Sequence, residues 1–184
     1  MLRRALILAL ISPLATACFT APVADRPRVR TDADYLRSRE MMVPVDGVRV
    51  NELSDTFNAR RSGGRTHLAL DVMARKGTPV VAADDGVVRR ISTNALGGNT
   101  VYVVDPARRY VHYYAHLDRY ARGLRVGQEI RRGDLIGTVG TTGNAPANAP
   151  HLHYQLLRYR DTRMWWTGDP VNPLPYLKTR GNQR

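Results

Sequence analysis

One cysteine, Cys18, is present among the 184 residues, and its isolation excludes a disulfide framework and any cysteine-rich zinc finger. No apolar run reaches the ~18 to 20 residues that a membrane-spanning helix needs, which excludes a polytopic membrane protein. Apolar residues make up 43% of the chain and charged residues 24%, a composition typical of globular proteins. The length allows one domain of ordinary size and a short additional segment.

Acidic side chains are also scarce, since 16 Asp and Glu stand against 28 Lys and Arg, for a net charge of +12. Such an excess often marks a nucleic-acid-binding protein. The N-terminus indicates export, however, so we expect no nucleic-acid partner and consider acidic wall peptides and anionic lipid head groups instead. A solvated basic surface without a specific partner explains the charge more simply.

The first eighteen residues have the layout of an export signal. Residues 1–4 are a short basic region with Arg3 and Arg4, residues 5–11 are apolar, and Ala-Thr-Ala precedes Cys18. This resembles a bacterial lipoprotein signal, whose cleavage leaves the cysteine lipidated. We therefore expect a signal peptide at 1–17 and a membrane anchor at Cys18; a buried N-terminal helix is the alternative. Phe19 does not resemble the aspartate that retains lipoproteins at the inner membrane. The expected location is the periplasmic face of the outer membrane, or otherwise the periplasm.

The residue composition of the chain changes at Pro44. Residues 18–43 carry prolines among alternating charges and are interpreted as a lipoprotein tether, extended or partly helical, with a candidate helix cap at Thr31. Over 44–177, short runs rich in Val, Ile, Tyr and Thr alternate with Gly and Pro, which predicts an all-β domain built as a compact antiparallel sheet. A basic C-terminal tail, 178–184, follows. The predicted strands are 80–83, 86–91, 100–104, 110–114, 135–139 and 152–156.

Two segments present polar ligands of the kind that bind metals. Strand alternation puts His67, Ala69 and Asp71 on one face, and it puts His151 and His153 together on another strand. Two imidazoles and a carboxylate suit a catalytic Zn²⁺ site with an open position for water. Zinc lowers the pKa of that water towards ~7 and polarises a carbonyl, as amide hydrolysis requires. The same ligands describe non-haem iron oxygenases, an alternative that the export signal disfavours.

The order and spacing of these residues resemble the lysostaphin-type (LytM-like) zinc metallopeptidases, which cut peptide bridges in bacterial peptidoglycan. The resemblance covers about residues 48–175. The family usually has glycine at the position of Ala69, and this difference removes no metal ligand. The matching segments are His67-Leu-Ala-Leu-Asp71, Lys76 to Val88, Tyr114-Ala-His116-Leu, Gly140-Thr-Thr-Gly and His151-Leu-His153.

The resemblance implies a compact antiparallel β domain of the duplicated hybrid motif kind, with its site in a groove. It implies one Zn²⁺ per chain, held by His67, Asp71 and His153, with His116 and His151 as the catalytic histidines. The implied function is an exported zinc endopeptidase that hydrolyses peptidoglycan cross-links by a metal-activated water, with wall stem peptides as its partners. Some family members have lost zinc ligands and activate other murein hydrolases, so a non-catalytic wall-binding activator is the alternative.

Other residues draw weaker expectations. His112 is expected to be a half-buried sheet histidine rather than a catalytic one. The pair Trp165 and Trp166 is expected to pack near the end of the domain, and a groove-lining role is the alternative. Three arginines before the first metal motif either bind substrate carboxylates or form a solvated loop: Arg60, Arg61 and Arg65.

We predict that Cys18→Ser leaves the protein unlipidated and releases it from the membrane, because Cys18 supplies the only thiol of the chain. Cell fractionation, with the protein detected in the membrane and soluble fractions, measures this. The wild-type chain in the membrane fraction is the control. A variant that still sediments with the membrane would contradict the lipoprotein interpretation.

Overall fold

The computed structural model describes residues 31–181, and it confirms the predicted all-β fold: a mostly antiparallel sheet with one α-helix in that range. The predicted signal segment 1–17 and Cys18 lie outside the described residues. No helix within 31–181 has the length and apolarity to cross a membrane.

Each predicted strand is present, and four are longer than predicted, since they span Gly86–Asn94, Gly98–Val104, Tyr110–Tyr120 and His151–Arg158. The strand predicted over 80–83 ends at Val81. Helix α1 spans Asp32–Arg39. The strands in the described range are β1 (Leu70–Met73), β2 (Pro79–Val81), β3 (Gly86–Asn94), β4 (Gly98–Val104), β5 (Tyr110–Tyr120), β6 (Glu129–Ile130), β7 (Leu135–Val139), β8 (His151–Arg158) and β9 (Pro170–Val171). Short 3-10 turns lie at Val50–Glu52, Ser62–Gly64 and Leu174–Tyr176.

Six strands form one continuous layer in the order β1-β8-β5-β4-β3-β6, and all neighbours pair antiparallel. Strands β2 and β7 pair with each other, and β7 also pairs with the distal end of β5. Strand β9 pairs with β8. Strands β8 and β5 are thus interior strands with a partner on either side, and they carry four of the five histidines.

One face of this layer is covered by the core and the other is accessible. Leu70 and Val72 of β1, Tyr114 of β5, and Leu152 and Tyr154 of β8 are all fully buried. The residues between them are partly exposed or line the open face. Antiparallel sheets commonly show this alternation, because one face packs on the core while the other meets solvent.

Helix α1 and the segment after it belong to this core. Thr31 caps the helix, since its side-chain oxygen accepts a hydrogen bond from the N–H of Asp34 at 3.1 Å. Tyr35, Leu36 and Met41 are buried in the main core cluster. The sequence placed residues 18–43 in a tether, but buried apolar side chains at these positions mean that the packed chain begins at the helix. Any tether is therefore confined to residues before 31.

Charged groups fix both ends of α1 on the sheet. Arg39 donates two hydrogen bonds to the buried carboxylate of Asp84, at 2.7 and 2.8 Å. At the other end Asp32 pairs with Arg109 and with Arg158. A paired guanidinium–carboxylate contact adds geometric specificity as well as energy, so these contacts define the position of the helix on the sheet.

The predicted basic tail, 178–184, also begins inside the packed region. Lys178 forms an isolated parallel bridge with Met42, and its N–H donates to the carbonyl of Met41 at 2.7 Å. Arg180 pairs with Asp46 at 3.2 Å. Residues 178–181 therefore contact the N-terminal segment, and residues 182–184 lie outside the described range.

We predict that Leu36→Ala lowers the free energy of unfolding by about 2 to 5 kcal/mol, the usual cost of truncating a buried leucine. Leu36 is 2% exposed. The side chain of Arg37 on the same helix is 68% exposed, so Arg37→Ala is the matched control, with an expected change within about 0.5 kcal/mol. Chemical denaturation of both variants and the wild-type chain measures the difference. Equal stability of all three would mean that α1 is a loose tether.

Candidate active site

The accessible face of β8 carries the polar side chains that alternation predicted. His151, His153 and Gln155 line a cavity of about 500 Å³. Leu152 and Leu156, which alternate with them, are fully buried on the opposite face. Strand β8 therefore presents both predicted histidines to the same open space.

The register between β1 and β8 places Asp71 directly opposite His153. Residues opposite each other in an antiparallel pair have Cβ atoms about 4.5 to 5.5 Å apart, which brings these side chains within reach. Asp71 Oδ1 lies 3.0 Å from His153 Nδ1. His151 lies opposite Met73, two pairs further along, and its Nε2 is 3.8 Å from the same carboxylate oxygen.

His67 reaches the site through a bend rather than through alternation. Strand β1 begins only at Leu70, and Leu68 has a positive φ of 57°. The N–H of His67 instead donates to the carbonyl of Ala59 at 2.9 Å. Ala69, which alternation placed on the site face, is fully buried and is not part of the cavity lining. Its methyl group therefore does not narrow the groove.

Three donor atoms converge between these segments. His67 Nε2, Asp71 Oδ1 and His153 Nδ1 are each 3.0 Å from the other two. His67 Nδ1 lies 2.9 Å from the carbonyl oxygen of Thr56. Because a carbonyl can only accept, the ring hydrogen of neutral His67 is on Nδ1, and Nε2 turns a lone pair towards Asp71.

This donor set suits a metal cation. A carboxylate and an imidazole lone pair at 3.0 Å repel unless a positive charge lies between them. Nitrogen and oxygen ligands lie about 2.0 to 2.2 Å from Zn²⁺, so tetrahedral coordination separates ligand atoms by about 3.3 to 3.6 Å. The observed triangle is close to that size, and His67, Asp71 and His153 form a candidate metal site.

A bulge in β5 brings His116 to the same cavity. The register of β5 against β4 shifts between Asn99 and Val101, and His116 has a positive φ of 60°. A bulge re-aims the side chains that follow it. Strict alternation would leave His116 with Tyr114 in the core; instead it lines the cavity.

Close backbone packing holds the bulge. The N–H of His116 donates to the carbonyl of Gly97 at 2.7 Å. A Cβ atom added to Gly143 would lie 2.2 Å from the backbone nitrogen of Gly98, and both glycines have positive φ, 74° and 62°. Because only glycine fits such an approach, the loop of Gly143 can lie directly against the turn that holds His116.

Backbone carbonyls orient His116 and His151 in the same way. His116 Nδ1 lies 2.8 Å from the carbonyl of Thr142, and His151 Nδ1 lies 2.8 Å from the carbonyl of Ala149. Each neutral ring therefore carries its hydrogen on Nδ1 and offers Nε2 as an acceptor. The two ring centroids are 5.0 Å apart.

Burial and hydrogen bonding set the charges in the site. Burial lowers the pKa of His116 to about 4, and burial also lowers the pKa of His153. For Asp71, burial acts to raise the pKa, but the neighbouring rings of His153 and His67 outweigh it and hold the pKa well below its usual range. An ionised Asp71 and a neutral His153 are the protonation states that metal binding requires.

Of the three candidate arginines, two line the cavity. Arg61 Nη2 donates to Asp71 Oδ2 at 2.5 Å, and its side chain is 46% exposed. Arg65 also lines the cavity. Arg60 forms an isolated backbone bridge with Thr66 instead. Because Arg61 uses the second carboxylate oxygen, Oδ1 stays directed at the two histidines.

His112 lies outside the site. It is 1% exposed on the core face, and its Nδ1 is 2.8 Å from the hydroxyl of Tyr154. Burial lowers the pKa of His112, so the ring is neutral. The expectation of a non-catalytic sheet histidine agrees with this position, although the ring is fully rather than half buried.

Sequence reasoning missed the residues that support the ligands. The hydroxyl of Thr56 accepts a hydrogen bond from the N–H of Asp71 at 2.9 Å, in addition to the carbonyl contact with His67. Thr142 supplies the carbonyl for His116. Their roles depend on loop contacts across the fold, and no local pattern marks them. Tyr113, whose ring lies 6.1 Å from that of His153, could have been found by alternation against buried Tyr114.

Residues 65–173 match the family model described as Peptidase family M23. The chain is 40% identical over 128 residues to the peptidoglycan DD-endopeptidase ShyC of Vibrio cholerae, covering 67% of this chain and 27% of that protein. It is 38% identical over 128 residues to an L-Ala–D-Glu endopeptidase of Bacillus subtilis, covering 66% and 37%. It is 29% identical over 164 residues to the murein hydrolase activator NlpD of Salmonella typhimurium, covering 88% and 39%. The chain thus spans less than half the length of these relatives.

Solved structures have the same fold. The catalytic domain of lysostaphin from Staphylococcus simulans superposes with a TM-score of 0.58 at 26% identity, covering 69% of this chain and 93% of that one. A zinc-containing peptidase from Vibrio cholerae gives 0.56 at 25% identity, covering 74% and 40%. Since the family match covers more than half of the sequence and includes all five site residues, this chain belongs to peptidase family M23.

Proposed function

We propose that the protein is an exported zinc-dependent endopeptidase that hydrolyses the peptide cross-links of bacterial peptidoglycan. The observation that supports this most is the triangle of His67 Nε2, Asp71 Oδ1 and His153 Nδ1, with edges of 3.0 Å. The names of two M23 relatives describe them as endopeptidases, one of them acting on peptidoglycan.

The three converging residues would hold one Zn²⁺ per chain, and that ion would polarise the scissile carbonyl and activate water. Thr56 contributes by keeping the hydrogen of His67 on Nδ1, so that Nε2 is available as a ligand. Arg61 holds Asp71 Oδ2 and leaves Oδ1 directed at the histidines.

His116 and His151 are proposed to move protons. Each is oriented by a backbone carbonyl at Nδ1, so Nε2 is the atom that accepts a proton from the attacking water. The imidazolium that results can return the proton from Nε2 to the leaving amine. Burial lowers the pKa of His116 and keeps its ring neutral before the reaction, as a proton acceptor must be.

Wall stem peptides are the proposed substrates, with Arg61 and Arg65 as contacts for their carboxylates. Both arginines line the cavity, and a planar guanidinium forms paired hydrogen bonds with a carboxylate. The proposed location is the periplasmic face of the outer membrane through lipidated Cys18, where such peptides are available.

A non-catalytic activator of other murein hydrolases is the second candidate. The alignment to NlpD supports it, since it covers 88% of this chain. The endopeptidase proposal is favoured because the five histidine and aspartate positions of the site are all present and lie together. A His153→Ala chain that stimulated a separate wall hydrolase as well as the wild-type chain does would support the activator instead.

We predict that His153→Ala and His151→Ala separate metal binding from proton transfer. His153→Ala removes one of three donors, so bound zinc should fall sharply. His151→Ala leaves all three donors, so zinc should stay near one per chain while turnover falls roughly 100- to 10,000-fold. Zinc content by elemental analysis and turnover on purified wall fragments measure the two effects.

The two variants are matched controls for each other, because both remove an imidazole from the same face of β8. Zinc should raise the melting temperature of His151→Ala and of the wild-type chain, and it should leave His153→Ala unchanged. If His151→Ala lost zinc while His153→Ala kept it, the two assignments would be reversed. If both kept zinc and activity, the proposed mechanism would be wrong.

We also predict that His116→Ala lowers turnover without loss of zinc, since His116 lies outside the donor triangle. If both histidines act on one water, the turnover of the double variant with His151→Ala should fall by less than the product of the two single fold-losses. Steady-state kinetics of the three variants gives the comparison. If the double variant lost the full product of the two single fold-losses, the two histidines would act independently.

A further inference from the structure

A row of polar and aromatic side chains crosses the accessible face of the sheet beside the cavity. Gln155, Tyr113, Tyr102 and Arg90 lie opposite one another in turn on β8, β5, β4 and β3. Since neighbouring strands are about 4.8 Å apart, the row is about 14 Å long. It begins at the candidate active site, because the ring of Tyr113 lies 6.1 Å from that of His153.

The loop between β8 and β9 adds both tryptophans of the chain to this row. Trp165 meets Tyr102 edge-on with ring centroids 6.0 Å apart, and Trp166 meets Trp165 edge-on at 5.5 Å. The guanidinium of Arg90 lies over the rings of Trp166 and Tyr102, at 4.6 and 5.7 Å. These cation–π and edge contacts hold the loop against the sheet.

None of these aromatic rings is fully buried. Tyr102, Tyr113, Trp165 and Trp166 are all partly exposed. Tyr113 and Gln155 also line the cavity, so the row is continuous with it. Aromatic side chains with a few polar groups along an accessible surface that joins a catalytic cavity are the composition of a ligand subsite.

We propose that the aromatic row, defined here as Gln155, Tyr113, Tyr102, Arg90, Trp165 and Trp166, binds sugar rings of the peptidoglycan glycan strand. This proposal rests on the proposed function, since the glycan strand carries the stem peptides that the site would cut. A pyranose ring places its axial C–H bonds on an aromatic face, while its hydroxyls accept hydrogen bonds from Arg90 and Gln155.

The placement favours a sugar over an extended peptide. One common mode of peptide binding adds a strand to the free edge of a sheet, where the N–H and C=O groups of the peptide find partners. Tyr113 and Tyr102 lie on β5 and β4, and each of these strands already has a neighbour on both sides. Only side chains are offered there, and a ligand with few backbone amides suits them better.

The two tryptophans allow a direct test, because the chain has no others. The full chain is titrated with purified glycan strands from which the stem peptides have been removed, and tryptophan fluorescence is excited where tyrosine does not absorb. We expect a saturable change with glycan and none with sugar-free stem peptides. No change with glycan, or the same change with peptides alone, would overturn the proposal.

Variants then connect the signal to binding. Trp166→Ala should weaken glycan binding about tenfold, measured by calorimetry, since its ring face is lost. Met164→Ala is the matched control on the same loop; Met164 is 54% exposed and should leave affinity unchanged. Tyr102→Ala is a second variant from the sheet itself, and the melting temperature of each shows whether it is folded. Folded Trp166→Ala and Tyr102→Ala that bind glycan as the wild-type chain does would overturn the assignment.

The outcome is independent of the endopeptidase proposal. Glycan binding is measured without any cleavage, so it can succeed even if the chain cuts no wall peptide. Where the chain does cut, Trp166→Ala should slow the digestion of intact wall and leave the cleavage of sugar-free cross-linked peptides unchanged. Equal loss on both substrates would place Trp166 in the cleavage site rather than in a glycan subsite.

Discussion

The pairing of Asp71 with His153 across β1 and β8 is the constraint on which the site depends. Side chains alternate between faces with a period of two, so a slip of one residue would turn Asp71 into the core and leave His153 without its partner. Leu70 and Val72 prevent that slip, because the same movement would expose two fully buried side chains. The energy that fixes the candidate metal donors is therefore hydrophobic burial on the opposite face of the sheet.

The histidines are oriented by a second and more local device. Carbonyl oxygens of Thr56, Thr142 and Ala149 each lie within 2.8 to 2.9 Å of an Nδ1 atom. These carbonyls come from two loops, one before β1 and one between β7 and β8. The sheet therefore sets the positions of the histidines, and the loops set their tautomers. Outer partners of this kind are known to set ligand basicity and ring direction in metal sites. Substitution of loop residues can thus affect the site without touching a ligand.

Much of the fold and part of the site followed from local pattern. Short runs of Val, Ile, Tyr and Thr between Gly and Pro located the strands, and alternation gave the shared face of His151 and His153. It gave the wrong route for His67, because Leu68 adopts a positive φ, and it would have left His116 in the core, because a bulge is needed to turn it out. The bulge depends on a backbone contact between the loops of Gly98 and Gly143, and contacts between distant loops have no period in the sequence.

The packing of α1 against the core shortens the segment that could connect the domain to an anchor at Cys18. With the packed chain starting at Thr31 rather than at Pro44, the segment from Cys18 to the packed chain, 18–30, is 13 residues long instead of the 26 residues of 18–43. A fully extended chain spans at most about 3.3 to 3.6 Å per residue, so its reach is about 45 Å rather than about 90 Å. If Cys18 is lipidated as proposed, the cavity is confined to wall peptides close to the membrane. Helix α1 contributes to the core, whereas the histidines line the accessible face, so the chain attached to α1 does not start from the cavity. With that anchor, a short tether joined to the core side of the sheet would restrict the distance of the domain from the membrane and would leave the groove accessible.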